Sequence, residues 1–301
     1  MATDLKPINE QVMVITGASS GIGLATAKLA AERGAKLVLA ARSEQTLESI
    51  VEQLHELGAD AVHVVADVAD REQVERVARE AIATFGRIDT WVNNAGVSIY
   101  GRIKEIHEED NRRLFDVNFW GVVNGSLVAL EHLSEHGGAL INIGSEVSDA
   151  VVPLQGMYTA SKHAVKGFTD ALRIEIEKVD QAPVSITLIQ PTAVNTPYPQ
   201  HARNYMDREP KLPDPKIEPF TVAEAVLRAA CHHTRDVTVG AMAMLTTAAS
   251  KLMPGVADLL ATQQTYRQQY PELPREPDGT LYRPGESGQT HGARPRIVPC
   301  Y

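Results

Sequence analysis

The stretch "TGASSGIG" (residues 16–23) decides the fold. It closes the apolar run VMVITG (12–17) and opens a helical pattern that continues to about residue 33. Position matters here more than spelling. Gly17, Gly21 and Gly23 permit a tight turn, a close backbone approach and tight packing of helix on strand. Ser19, Ser20 and Ile22 complete a loop whose helix end offers free N–H groups and a positive dipole end, a site suited to a pyrophosphate. A glycine-rich loop lying after a strand and before a helix, near the start of the chain, reads as a dinucleotide site.

Outward from that loop, short apolar runs alternate with helical patterns. KLVLAAR (36–42), VHVVADV (62–68), IDTWVNNAG (88–96), ALINIGS (139–145) and VSITLIQP (184–191) are nearly continuous in hydrophobicity, as strands covered on both faces are. A helix to about residue 57 follows the second run, and residues 70–85 carry Val74, Val77, Ala78, Ala81 and Ile82 on one stripe. Strand and helix in alternation imply an α/β fold with a doubly wound parallel sheet between two helical layers. The expected organisation is one domain over residues 1–264 and an extension over 265–301. Within it, the Pro-rich stretch 192–220 follows a strand, where open α/β sheets place ligand loops.

The totals exclude several alternatives. With 301 residues and 44% hydrophobic composition, the chain can bury a large core. The net charge of -9, with no dense Lys/Arg cluster, argues against nucleic acid as a partner. Cys231 and Cys300 lie far apart without ligand spacing, so neither a disulfide framework nor a metal site is expected, and a reducing cytoplasm fits. No apolar run reaches the ~18 residues of a membrane span, and MATDLKPINEQ lacks a signal-peptide pattern. His232 and His233 are adjacent and point to different faces of a helix end, a poor arrangement for a metal. Trp91 and Trp120 read as core. Met242, Met244, Leu245, Leu252 and Met253 form an apolar stretch whose default role is packing.

The second strand ends in "LAARSEQ". A carboxylate at that point holds a ribose 2'-hydroxyl and repels a 2'-phosphate. Ala41 removes the repulsion, and Arg42 beside Ser43 offers charge-assisted hydrogen bonds to a phosphate, so NADP(H) is expected over NAD(H).

In "MYTASKHAV" (157–165), Tyr158 and Lys162 stand four positions apart and share one helix face. A nearby ammonium favours phenolate and is expected to lower the phenol's pKa. With TGASSGIG, NNAG (93–96), Asn118 and Ser145, which lies 13 residues before Tyr158, the chain resembles the short-chain dehydrogenase/reductase family over about residues 10–240. The resemblance implies a Rossmann-type fold and oxidoreductase activity on an alcohol or ketone. It makes Tyr158 the acid/base, Lys162 the group that tunes it and holds the nicotinamide ribose, Ser145 the orienter of the substrate oxygen and Asn118 the support of a relay water.

The resemblance also assigns Asp67 and Val68 to the adenine, and Asn94, Ala95 and Gly96 to the adenosine side. In "QPTAVNT" (190–196), Pro191 belongs to a Pro-Gly segment, Val194 meets the carboxamide through its backbone and Thr196 meets a phosphate. Thr192 stands where the family has glycine. Pocket walls are expected from Tyr198, Tyr205, Met206, Leu212, Phe220, Ile99, Tyr100 and Val147, which suggests an apolar or aromatic small-molecule substrate. A homodimer or homotetramer through the helices of Asn118 and Tyr158 is implied, and the tail is expected either to wrap a neighbouring subunit or to be disordered. The alternatives are an epimerase or dehydratase sharing the Tyr/Lys pair, and a cofactor-binding sensor or scaffold without turnover.

Overall fold

The computed structural model describes residues 5–241, 253–265, 267–285 and 287–292. The apolar runs become β1 (Val12–Thr16), β2 (Lys36–Ala41), β3 (Ala61–Val65), β4 (Thr90–Asn93), β6 (Gly138–Ile143), β7 (Val184–Pro191) and β9 (Asp236–Val239). They form one parallel sheet in the order β3-β2-β1-β4-β6-β7-β9. Continuous hydrophobicity has a direct cause here, because alternate residues of one strand enter two different cores. Met13 and Ile15 of β1 pack with α1 (Gly21–Glu32), α2 (Glu44–Glu56) and α8 (Pro219–Cys231). Val14 packs on the opposite face with α3 (Arg71–Phe85), α4 (Glu108–Phe115) and α5 (Gly121–His136). Asp70 ends the approach to α3 by accepting the Glu72 and Gln73 N–H groups, the cap that the sequence offers just before the apolar stripe.

α4 passes into α5 through a π turn at Asp116–Trp120. Phe119 takes the inward direction there and meets the Phe168 ring edge-on at 6.2 Å. The next residue must point elsewhere, so Trp120 is 52% exposed rather than core, while Trp91 is fully buried as expected.

The Pro-rich stretch is more regular than its composition suggests. It holds a short helix, α7 (Tyr198–His201), and a strand, β8 (Arg203–Asn204), paired in parallel with β5 (Ile99–Tyr100). α6 (Gly156–Arg173) precedes β7, and α9 (Pro254–Thr265) follows β9. Met242, Met244, Leu245 and Leu252 lie outside the described residues, as does Cys300. The described part of the tail returns over its own chain. Gln268 donates to the Pro153 carbonyl and Leu281 is fully buried in the core. Among the described residues, no helix is long and apolar enough to cross a membrane.

Candidate active site

β6 ends at Ile143, and Ser145 begins the short turn Glu146–Ser148. The Ser145 N–H donates to the Ser148 hydroxyl, and the Val147 N–H donates to Ser145 Oγ, which fixes the serine at the strand's C-terminal end. Tyr158 lies in the first turn of α6, where it hydrogen-bonds Ser145, and Lys162 lies one turn further on. The Lys162 Nζ donates to the Ile143 carbonyl at 2.8 Å and stands 5.8 Å from the Tyr158 ring centroid. Serine, tyrosine and lysine are thus tied to one strand end.

Electrostatics depart from the sequence expectation. Burial raises Tyr158 to about 12, against the pull of hydrogen bonds from Ser145 and Tyr198, and the charge of Glu146 adds to the rise. Burial also lowers Lys162 to about 8. Desolvation sets the direction for both groups, because both are inside.

A cavity of about 790 Å3 runs from this strand end to the N-terminus of α1. Its wall brings together Ser145, Tyr158 and Lys162 with Gly17, Ser19, Ser20, Gly21, Ile22, Arg42, Asp67, Val68, Asn94, Ala95, Gly96, Pro191, Val194 and Thr196. Two expected residues stand behind the wall. Gly23 supports the loop from beneath, where a Cβ would lie 2.3 Å from the Gly17 carbonyl oxygen. Asn118 is fully buried, accepting from the Val97 N–H and donating to the Val97 carbonyl and the Ser161 hydroxyl.

Several residues already have partners. Asn94 donates to the Thr16 and Gly17 carbonyls and so ties β4 to the loop. Gly17 adopts φ +65, and a Cβ there would meet the Ala95 backbone at 2.7 Å, so this turn admits only glycine. Asp67 pairs with Arg113, a residue the sequence reading did not single out. Arg42 donates to the carbonyls of Thr280 and Leu281. The loop's backbone cradle at the start of α1 and the size of the cavity fit a dinucleotide.

Of the expected walls, Tyr198, Leu212 and Val147 line the cavity. Ile99 and Tyr100 are buried in the small sheet, Tyr205 donates to Asp110, Met206 accepts from Gln269 and Phe220 stacks toward His291. Met253 is half-exposed and also reaches the wall. Three lining residues gain roles that the sequence left unassigned. Tyr198 reaches Ser98 at 2.6 Å and Gln155 at 2.9 Å as well as Tyr158. Glu146 is held above the usual carboxylate range by burial and accepts from the Thr192 hydroxyl at 2.9 Å. Thr192, the departure from glycine, is absent from the positive-φ residues, so the side chain costs no strain and serves Glu146. A carboxylate next to the serine was the one available signal. His232 and His233 serve the end of α8, bonding the Arg228 carbonyl and the Ser185 hydroxyl.

The chain is similar to known oxidoreductases in sequence and fold. The family model described as short chain dehydrogenase matches residues 11–207. The uncharacterized oxidoreductase YxnA of Bacillus subtilis is 46% identical over 286 residues, covering 93% of this chain and 80% of that protein. A short chain dehydrogenase/reductase from Burkholderia phymatum, solved in complex with NAD, has a TM-score of 0.73 at 28% identity, covering 85% of this chain and 96% of its own. A short chain dehydrogenase from Burkholderia cenocepacia, in complex with NADP, has a TM-score of 0.70 at 27% identity and covers 85% of this chain and 99% of its own.

Proposed function

The chain belongs to the short-chain dehydrogenase family of oxidoreductases, and from that premise we propose that it moves hydride between NADP(H) and an apolar alcohol or ketone, with Tyr158 as acid/base. The observation that carries the reading is the Tyr158 phenol, hydrogen-bonded to Ser145 at the wall of a cavity that continues to the glycine loop.

The dinucleotide would be held by the N–H groups at the start of α1, by Asp67 and Val68 at the adenine end, and by Lys162, Val194 and Thr196 toward the nicotinamide. When bound, it supplies or accepts the hydride. The protein handles the proton. In reduction, Tyr158 Oη gives its proton to the substrate oxygen while the Ser145 hydroxyl orients that oxygen and stabilises the charge that develops on it. In oxidation the phenolate takes the alcohol proton. Lys162 holds a positive charge beneath the ring whenever it is protonated, and Asn118 fixes the backbone behind it. Val147, Val151, Val152 and Leu212 give the substrate end of the cavity an apolar wall.

Arg42 and the absence of a carboxylate at Ala41 support NADP(H) over NAD(H). The exposed Trp120 and Leu127 on the outward side of the π turn and α5 support assembly as a homodimer or homotetramer. The cysteine usage supports a cytoplasmic setting. Reduced-nicotinamide absorbance over a panel of aliphatic, aromatic and steroidal ketones tests the reaction, with NADPH and NADH in parallel. Turnover of apolar ketones is expected with NADPH; its absence across the panel would overturn the substrate class. Arg42→Asp should lower the NADPH-to-NADH affinity ratio by about 10- to 100-fold, the loss of one charged hydrogen-bonding partner. An unchanged ratio would remove Arg42 from selection.

A further inference from the structure

The family match ends at residue 207, yet three residues expected to serve the cofactor touch the chain again near residues 280–292. Arg42, at the end of β2, holds the Thr280 and Leu281 carbonyls. The Gly21 N–H, at the start of α1, donates to the Gln289 carbonyl at 2.9 Å. Thr196, after β7, lies under Gly292, whose added Cβ would stand 2.7 Å from the Thr196 carbonyl oxygen. One segment therefore spans the glycine loop, the second strand and the Pro-rich stretch, while a cavity persists beneath it.

Its two halves are fastened differently. In the first, the Asn204 N–H donates to the Pro277 carbonyl and the Thr280 N–H to the His201 carbonyl, both at 2.7 Å. Leu281 is fully buried, Arg113 donates to its carbonyl and the Tyr282 hydroxyl donates to Asp110. Among the described residues of the second half, the polar ties to the rest of the chain are the Gly21 bond and a half-exposed His291–Glu218 pair. An element with few buried contacts is cheap to open, and among the described residues the second half has fewer than the first.

We propose that this C-terminal segment is a wall of the cofactor site, that the dinucleotide binds beneath it, and that the second half must swing away for the cofactor to enter or leave. The proposal rests on the cofactor reading above. The helix's own first bond runs from the Leu24 N–H to the Ser20 carbonyl, so the N–H of Ile22, which lines the cavity, precedes it and remains for a phosphate while Gln289 holds the cover against Gly21. Closure over a charged ligand removes water from around it and strengthens each of those bonds. A slowly exchanging cofactor is the consequence.

The test compares the full chain, a chain ending at Arg283 that keeps the docked half, and the full-length Gly292→Leu variant, whose side chain pushes the cover off Thr196. NADPH is bound, chased with excess NADP, and its release followed by reduced-nicotinamide fluorescence; hydrogen exchange at the Gly21 amide is measured without cofactor. Release is expected to be about tenfold faster in both variants, the factor that 1.4 kcal/mol gives, with the Gly21 amide protected only in the full chain. Equal release rates would overturn the proposal. Tighter binding by the shortened chain would also overturn it, making the segment a plug. If neither NADPH nor NADH binds any of the three, the cofactor reading fails first and the wall falls with it, a result distinct from binding at unchanged rates.

Discussion

The two ends of the cavity are built by opposite means. At the β6 end, Ser145, Tyr158 and Lys162 come from a short span of chain, and their neighbour Ile143 is part of the same strand end. At the glycine-loop end, Arg42 meets residues 238 and 239 positions away, and Gly21 meets Gln289. A site made of near neighbours can be read as a motif. A site closed by distant chain cannot, because nothing in local spacing tells which remote segment will return.

That contrast can be broken at its strong end first. Tyr158→Phe should lower kcat by about 10² to 10⁴, the usual contribution of a positioned acid/base, while cofactor affinity stays within about twofold. Retained turnover would remove the proposed acid. Next in size is Leu281→Ala, which should destabilise the fold by about 2 to 5 kcal/mol if the tail is part of the core. Denaturant unfolding reads this directly, and a change under ~0.5 kcal/mol would make the docked half an ornament of the surface.

The pH response sharpens the catalytic side. Lys162 is lowered to about 8, so its charge is present below that pH and lost as pH rises through it. Tyr158 keeps its proton to about 12, well beyond this window. Ketone reduction, measured as kcat/KM, should therefore fall with a midpoint near 8, and Lys162→Arg should move the fall above pH ~10, since guanidinium stays charged. A flat profile from pH 7 to 10 would show that the ammonium is not needed. The smallest effect is expected from Tyr282→Phe, which removes one of several donors to Asp110. A loss of about 1 kcal/mol should appear in unfolding, with turnover unchanged.

Much of the architecture was legible because the physics was local. The run VSITLIQP became β7 over the same residues, and the stripe from Val74 to Ile82 became α3 behind its Asp70 cap. Residues 192–220 were harder. Proline content marked the stretch as irregular, but the pairing of Arg203 with Ile99 depends on a loop elsewhere. Trp120 misled for a different reason: hydrophobicity predicts burial on average, while a π turn decides which of two adjacent aromatics faces inward. Lys162 and Tyr158 were paired correctly in space, yet the direction of their titration depends on burial, which spacing does not report. Thr192 looked like a fault against a family pattern and is a hydrogen-bond donor to a buried carboxylate.

The bonds from Arg42 to Thr280 and Leu281 also set an order of events during synthesis. A ribosome releases the glycine loop, β2 and α6 well before it makes the residues that bond to Arg42. Arg42 thus waits for 238 further residues before its partner Thr280 exists.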